Sequence, residues 1–151
     1  MKLAEALILR ADLKKRIEQL RERLRRNAKV QEGNLPVEPP QLLLSEFERS
    51  AAELEALIRR VNSTNATVMF DSQHLISDAI AKRDGFDLRI RIMREVIAAT
   101  SESDWLITRS EIKSVPTLDA AVLQRQLDDL SRERRDLDTQ LQAINWKVEL
   151  V

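Results

Sequence analysis

Apolar residues recur along this chain at alternating spacings of three and four, which is the period of helices that each bury one stripe. In the first segment, residues 2–32, the stripe is Leu13, Ile17, Leu20 and Leu24, widened near its start by Leu3, Leu7 and Ile8. Gly33 and Asn34 are expected to end this helix at roughly 45 Å, before a loop punctuated by Pro36, Pro39 and Pro40. A second helix is predicted just after Pro40, with Leu44, Phe47, Ala51, Leu54, Ile58, Val61 and Asn65 as its stripe and Asn62-Ser63-Thr64-Asn65 as its close. Ala66 to Phe70 is β-branched enough to be extended, and Asp71-Ser72 reads as a turn. Ser77 then caps a third helix, with Ile76, Ile80, Ile90, Met93 and Ile97 on one side and Leu88, Ile92 and Val96 on another. Gly85 lies inside it, which calls for a close backbone contact or a bend.

Periodicity breaks over residues 100–116, where Trp105, Ile107 and Ile112 interleave with polar residues, and this stretch is read as a non-helical, extended arm. Thr117, after Pro116, is expected to cap a last helix whose stripe of Leu123, Leu127, Leu130, Arg134, Leu137, Leu141, Ile144 and Val148 runs to the chain's end, again about 45 Å. The fold class is therefore all-α. The expected architecture is an antiparallel four-helix bundle of helical hairpins with heptad seams, the first and fourth helices being the long ones, in a single domain over 1–151.

Charge supports pairing of the first two helices. From Arg10 to Lys29 there are nine bases and three acids, and from Glu32 to Glu55 six acids and Arg49 alone. Over the whole chain 25 Lys+Arg balance 25 Asp+Glu, so the basic surplus that phosphate binding needs is absent. Trp and Phe lie outside the basic first helix and Tyr is absent, so that helix lacks stacking platforms and nucleic acid is not an expected partner.

Chemistry is limited in the same way. The chain has no Cys, which excludes disulfides and thiol catalysis. His74 is the one histidine and has no Glu three residues before it, so a carboxylate-bridged metal pair cannot be built and no metal is expected. A serine triad lacks its nucleophile elbow, and Asp128-Asp129 or Glu53 and Glu55 point to different sides of a helix. Neither Gly33 nor Gly85 forms part of a phosphate-cradling loop. The chain is expected to be non-enzymatic, with no cofactor and no catalytic residue. Asn27, Asn65 and Arg134 form a polar seam on the heptad stripes, setting register or marking where the bundle opens. Glu5 and Arg10 interrupt the apolar start as a secretory signal would not allow, which gives a cytoplasmic reading.

Self-association is the expected partnership. Long outer helices would leave Leu3, Leu7 and Ile8 uncovered at one end and Ile144, Trp146 and Val148 towards the other. The arm around Trp105, Ile107 and Ile112 is too long for a tight connection and too apolar for a free linker. Leu3, Leu7, Ile8, Trp105, Ile107, Ile112, Trp146 and Val148 are accordingly the candidate interface of a homo-oligomer, the alternative being that the arm packs along its own bundle. An unidentified protein partner is compatible with the same faces.

Several stretches carry a resemblance. Lys2-Leu3-Ala4-Glu5-Ala6-Leu7, Arg26 to Gly33 with Pro36 and Glu38-Pro39-Pro40, Asn62 to Asn65, Arg83-Asp84 and Arg109-Ser110-Glu111-Ile112-Lys113 resemble the septicolysin family. These are small bacterial proteins of unknown function, common in actinobacteria, and the resemblance covers essentially the whole chain. Here Gly85-Phe86 follows Arg83-Asp84, where that family has aliphatic residues. The family name implies a pore-forming cytolysin and brings no catalytic residues with it. An export signal and a membrane-embeddable segment are not seen in the sequence, so a membrane is a partner only under that alternative. The primary expectation is an oligomeric scaffold or protein-interaction module, with small-ligand binding within the helical assembly as a further alternative.

Overall fold

The computed structural model describes residues 1–101 and 114–151. They form four helices, α1 (Leu3–Asn27), α2 (Pro40–Thr67), α3 (Ile76–Ser101) and α4 (Ala120–Asn145), with no strand beyond one isolated bridge between Lys2 and Glu149 among the described residues. The chain is all-α, as its periodicity predicts. Two compact units result: Met1–Met69 with Ala143–Val151, and Phe70–Gln142. The expected arm lies mostly on residues 102–113, outside the described set.

In the first unit α1 and α2 form an antiparallel hairpin, as the ion pairs Arg16–Glu46 and Arg23–Glu38 show by running in opposite directions along the two helices. The buried side of α1 holds Ala6, Leu13, Leu20 and Asn27, seven residues apart throughout. Leu13 and Leu20 are the stripe read from sequence. On α2 the buried residues are Leu43, Ser50, Leu57 and Thr64, again at heptad spacing, with Val61 beside them. This corrects the expected seam, because Leu44 is 42% exposed and Ala51, Ile58 and Asn65 are only partly covered. Two small polar residues outside the expected stripe, Ser50 and Thr64, are buried in place of its neighbouring members Ala51 and Asn65.

The hairpin turn is built by hydrogen bonds rather than by apolar packing. α1 stops at Asn27, five residues before the expected end, and the Asn27 amide donates to the Arg23 carbonyl (2.9 Å) while its Oδ1 accepts the Glu38 N–H (3.0 Å). Glu38 in turn takes a forked contact from Arg23, with Nε 3.1 Å from both carboxylate oxygens. Gly33 supplies the one left-handed residue among those described, at φ +86°, which a side chain would resist. Asn27 is thus a clamp on the connection rather than a polar layer in the middle of a seam.

The start of α1 and the tail of the chain meet within this unit, which covers Leu3, expected to be bare, while Ile8 and Trp146 stay exposed. The Leu3 N–H donates to the Val148 carbonyl (2.9 Å) and the Leu150 N–H to the Met1 carbonyl (2.9 Å). Arg60 donates to the carbonyls of Leu150 and Val151 (3.4 and 3.2 Å), and the Val151 N–H donates to the Thr64 hydroxyl (2.9 Å). The last helix ends at Asn145, and Val148 lies in the turn that follows it, just before the bridge at Glu149.

In the second unit α3 and α4 close around Phe86, Ile90 and Leu127, with Met93, Ile97, Leu130 and Leu137 packed against them. Leu127, Leu130 and Leu137 are the stripe expected for the last helix. Its N-cap is Asp119, whose carboxylate accepts the N–H of Ala121 (2.9 Å) and Val122 (3.3 Å), rather than Thr117. Helix α3 starts one residue before Ser77: Leu75 is the capping position, and the Asp78 carboxylate reaches back to the Leu75 N–H (2.8 Å). The expected order of lengths also changes. The helices have 25, 28, 26 and 26 residues, so α2 is the longest and α1 the shortest, at about 42 and 37 Å.

Of the two causes expected for Gly85, close backbone approach does not apply, since a methyl group built on it has nothing within 4 Å. Its backbone is not in the left-handed region either. Gly85→Ala should therefore stabilise the protein by about 0.8–1 kcal/mol, the ordinary helix-interior difference, and raise the melting temperature. A lower melting temperature would show that the glycine relieves a contact.

Candidate functional site

Closing the α3–α4 hairpin uses one side of α3 and leaves the other. Ile90 is 7% exposed, whereas Leu88 and Ile92, on the remaining side, are 51% and 46% exposed. With Val96 at the next turn and Leu123 from α4, they line an open apolar groove of about 410 Å³. Val96 also borders a smaller depression with Val115 and Leu118, which are 75% and 51% exposed, so the apolar strip continues past the helix. Isolated exposed apolar residues are ordinary on a protein surface, but a contiguous strip marks an interaction site. The second side of α3 was legible in the sequence as a 4-residue repeat; its being left uncovered was not.

The same unit holds a polar cleft. It begins at a tight turn in which the Phe70 N–H donates to the His74 carbonyl (2.8 Å), and Asp71 accepts the N–H groups of Gln73 and His74 (both 2.8 Å). The His74 ring stands 3.0 Å from the Asp71 carboxylate, and these contacts, led by the backbone N–H of Gln73, hold Asp71 below the usual aspartate range. His74 is thereby a turn-anchoring group, and no set of three or more His, Asp or Glu side chains among the described residues is placed to hold a metal ion. Beyond the turn the cleft runs between α3 and α4, with a volume of about 280 Å³. Phe86, Ala79 and Leu137 belong to its apolar lining, and Lys82 of α3 with Glu133 and Asp136 of α4 to its charged lining. These two carboxylates, three residues apart on α4, were not distinguishable in sequence from the other acids of a charged helix.

Of the residues expected at an interface, Leu3 is wholly buried inside the first unit and has no surface left for a neighbour. Leu7 and Val148 are partly covered, and Ile8 and Trp146 are 54% and 55% exposed. Trp105, Ile107 and Ile112 lie outside the described residues. The polar seam is dispersed. Asn27 clamps the hairpin turn and Asn65 is partly exposed near the end of α2. Arg134 bonds Asp87 of α3 (2.9 Å) with Asp138 3.7 Å away, and its hydrogen bond holds the Asp87 carboxyl below its ordinary value.

The charge complementarity expected between the first two helices is present but narrow. Arg16 and Arg23 cross to Glu46 and Glu38, and each hydrogen bond pulls the carboxyl below the usual glutamate range. Arg21 and Arg25 instead pair within α1, with Glu18 and Glu22. At the tail, Lys2 and the terminal amine act together on Glu149 and lower it likewise.

A family model described as "Family of unknown function (DUF6847)" matches residues 10–150. The crystal structure of a functionally unknown conserved protein from Corynebacterium diphtheriae is similar with a TM-score of 0.93 and 34% sequence identity, covering 100% of this chain and 99% of that one. Among curated proteins, none matches. No described helix is long and apolar enough to cross a membrane.

Proposed function

We propose that this chain, which belongs to the family of unknown function DUF6847, is a cytoplasmic, non-enzymatic scaffold that works as a homo-oligomer, a second copy covering the exposed apolar side of α3. The observation that carries this reading is the strip of Leu88, Ile92 and Val96 with Leu123, which the α3–α4 hairpin leaves open to solvent. Burying apolar area returns about 25 cal/mol per Å², so a strip of this kind gains most from a partner that presents the same chemistry. A second copy does so by definition, and a twofold pair places the strip against itself. Its charges allow the approach: the chain has 25 bases and 25 acids, so two copies carry no net repulsion.

Light scattering tests the reading. At micromolar concentration the expected mass is a multiple of 17.4 kDa, and Leu88→Glu with Ile92→Glu should give a folded monomer with unchanged helical signal. A monomeric wild type, or an oligomer untouched by the two charges, would overturn it. Pore formation, which the septicolysin name implies, is the alternative reading, and no described helix is long and apolar enough to cross a membrane. Dye-loaded vesicles distinguish the two, since a scaffold leaves them intact and a cytolysin empties them.

A further inference from the structure

We infer that the α1–α2 hairpin attaches to the surface of an anionic lipid bilayer, setting the apolar tip of its connecting loop into the headgroup layer and the exposed bases of α1 against the headgroups. The attachment is peripheral and lies within the first unit, so it depends neither on the α3 strip nor on self-association. Leu35 and Val37 are 89% and 96% exposed, more than any other large apolar residue described, and Val30 and Leu42 on either side of them in the chain are 47% and 67% exposed. Connecting loops are ordinarily polar, and a group of apolar side chains held in water marks an interaction surface. The fold holds these out. Next to Val37, the Glu38 N–H donates to the Asn27 side chain (3.0 Å) and its carboxylate takes the fork of Arg23, while the Asn34 N–H donates to the Gln31 carbonyl (3.0 Å). Pro36, Pro39 and Pro40 fix φ along the same stretch, so little freedom is left to lose on docking.

Charge names the partner. Once Arg16 and Arg23 are spent on Glu46 and Glu38 of α2, the stretch from Asp12 to Lys29 keeps Lys14, Lys15, Arg21, Arg25, Arg26 and Lys29 exposed, against Asp12, Glu18 and Glu22. Arg21 and Arg25 take up Glu18 and Glu22, whereas Lys14, Lys15, Arg26 and Lys29 have no ion pair to a described residue. The loop's own Glu32 offsets one of them. This basic excess runs directly into the apolar tip, Lys29 being followed by Val30. Nucleic acid accounts for the bases and not for the tip, which offers no aromatic ring for a base to stack on. A protein pocket accounts for the tip, but the aromatic anchors that carry most protein interfaces are missing from it. An anionic bilayer accounts for both: its hydrocarbon boundary accepts aliphatic side chains without demanding a matching shape, and its headgroups attract bases lying near the surface.

Co-sedimentation of the full chain with dye-loaded vesicles tests this, using phosphatidylcholine mixed with phosphatidylglycerol in one arm and phosphatidylcholine alone in the other. Saturable binding to the mixed vesicles is expected, weakened by added salt and leaving the dye inside. Leu35→Ser with Val37→Ser should lower the affinity about tenfold or more, with the melting temperature unchanged because both side chains are already in water. Arg26→Gln with Lys29→Gln should lower it about tenfold on the mixed vesicles and leave any residual binding to phosphatidylcholine alone as it was. The inference is overturned by no binding to the mixed vesicles, by equal binding to both kinds, or by unchanged affinity in the serine variant. Release of the dye overturns it as well, in favour of pore formation. A smaller mass of the serine variant by light scattering, with the vesicles left unbound by the wild type, identifies the tip as a contact between copies instead. Because Leu88 and Ile92 are untouched in every variant, failure here leaves the reading of the α3 strip standing.

Discussion

Replacing Phe86 with Ala should cost about 3–5 kcal/mol, the usual range for emptying a buried aromatic site. Phe86 is 4% exposed and stands at the centre of the cluster with Ile90 and Leu127, against which Met93, Ile97, Leu130 and Leu137 pack. The loss has two parts, the transfer of the ring's apolar surface and the cavity that neighbours on two rigid helices cannot fully close. Against a total stability of about 5–15 kcal/mol for an ordinary domain, such a loss takes the variant close to unfolding at 25 °C. Leu88→Ala, only two residues away, removes a side chain that is 51% exposed and should cost well under half as much. Urea denaturation of both variants measures the difference. A Phe86→Ala loss below about 1 kcal/mol would mean that the ring is not the keystone of the α3–α4 core.

The Phe86 case also shows where sequence reasoning reached the fold. The helices themselves were legible, and the α4 stripe of Leu127, Leu130, Leu137 and Leu141 emerged correctly because each leucine stands alone among polar neighbours. Helix starts were less so. Ser77 and Thr117 are good capping types, yet the structure uses an aspartate in each case, Asp78 reaching back to Leu75 and Asp119 holding Ala121 and Val122. Local side-chain preference names the residue types that can cap a helix and not which of two nearby ones does. The clamp of Asn27, Glu38 and Arg23 was out of reach for another reason: its hydrogen bonds close only when residues eleven and fifteen apart fold back on each other.

The candidate sites follow the same division. Leu88, Ile92 and Val96 could be seen as a second apolar side of the third helix, because spacing alone reveals it. That the hairpin leaves this side open depends on which face α4 covers, which is a tertiary fact. Glu133 and Asp136 gave no signal at all. They line a cleft, whereas Asp128 takes a hydrogen bond from Gln124 and Asp129 pairs with Arg132, and one-dimensional pattern carries no record of either arrangement. The tail was misread for a related reason. Val148 continues the α4 spacing and its N–H still bonds the Ile144 carbonyl, but its own carbonyl accepts the Leu3 N–H, and the chain leaves the helix there.

The register of α2 gives the second large effect, because a shift of one residue changes which leucines are buried. Leu42, Leu43 and Leu44 are consecutive, so the sequence permits stripes through either of the last two, and apolarity at 51 and 58 favours the one through Leu44. The structure takes the other, burying Leu43 and Leu57 at 4% and 5% exposure together with Ser50 and Thr64. It can do so because Thr64, the wholly buried member of the polar pair, is satisfied: its hydroxyl donates to the Arg60 carbonyl (2.9 Å) and accepts the Val151 N–H (2.9 Å). Leu43→Ala and Leu57→Ala should therefore each cost about 2–5 kcal/mol, whereas Leu44→Ala should cost under about 1 kcal/mol. Under the register read from sequence, the ranking of Leu43 and Leu44 reverses. Guanidinium denaturation of this pair decides between them, since a one-residue slip in a heptad seam cannot bury both leucines against the same face of α1.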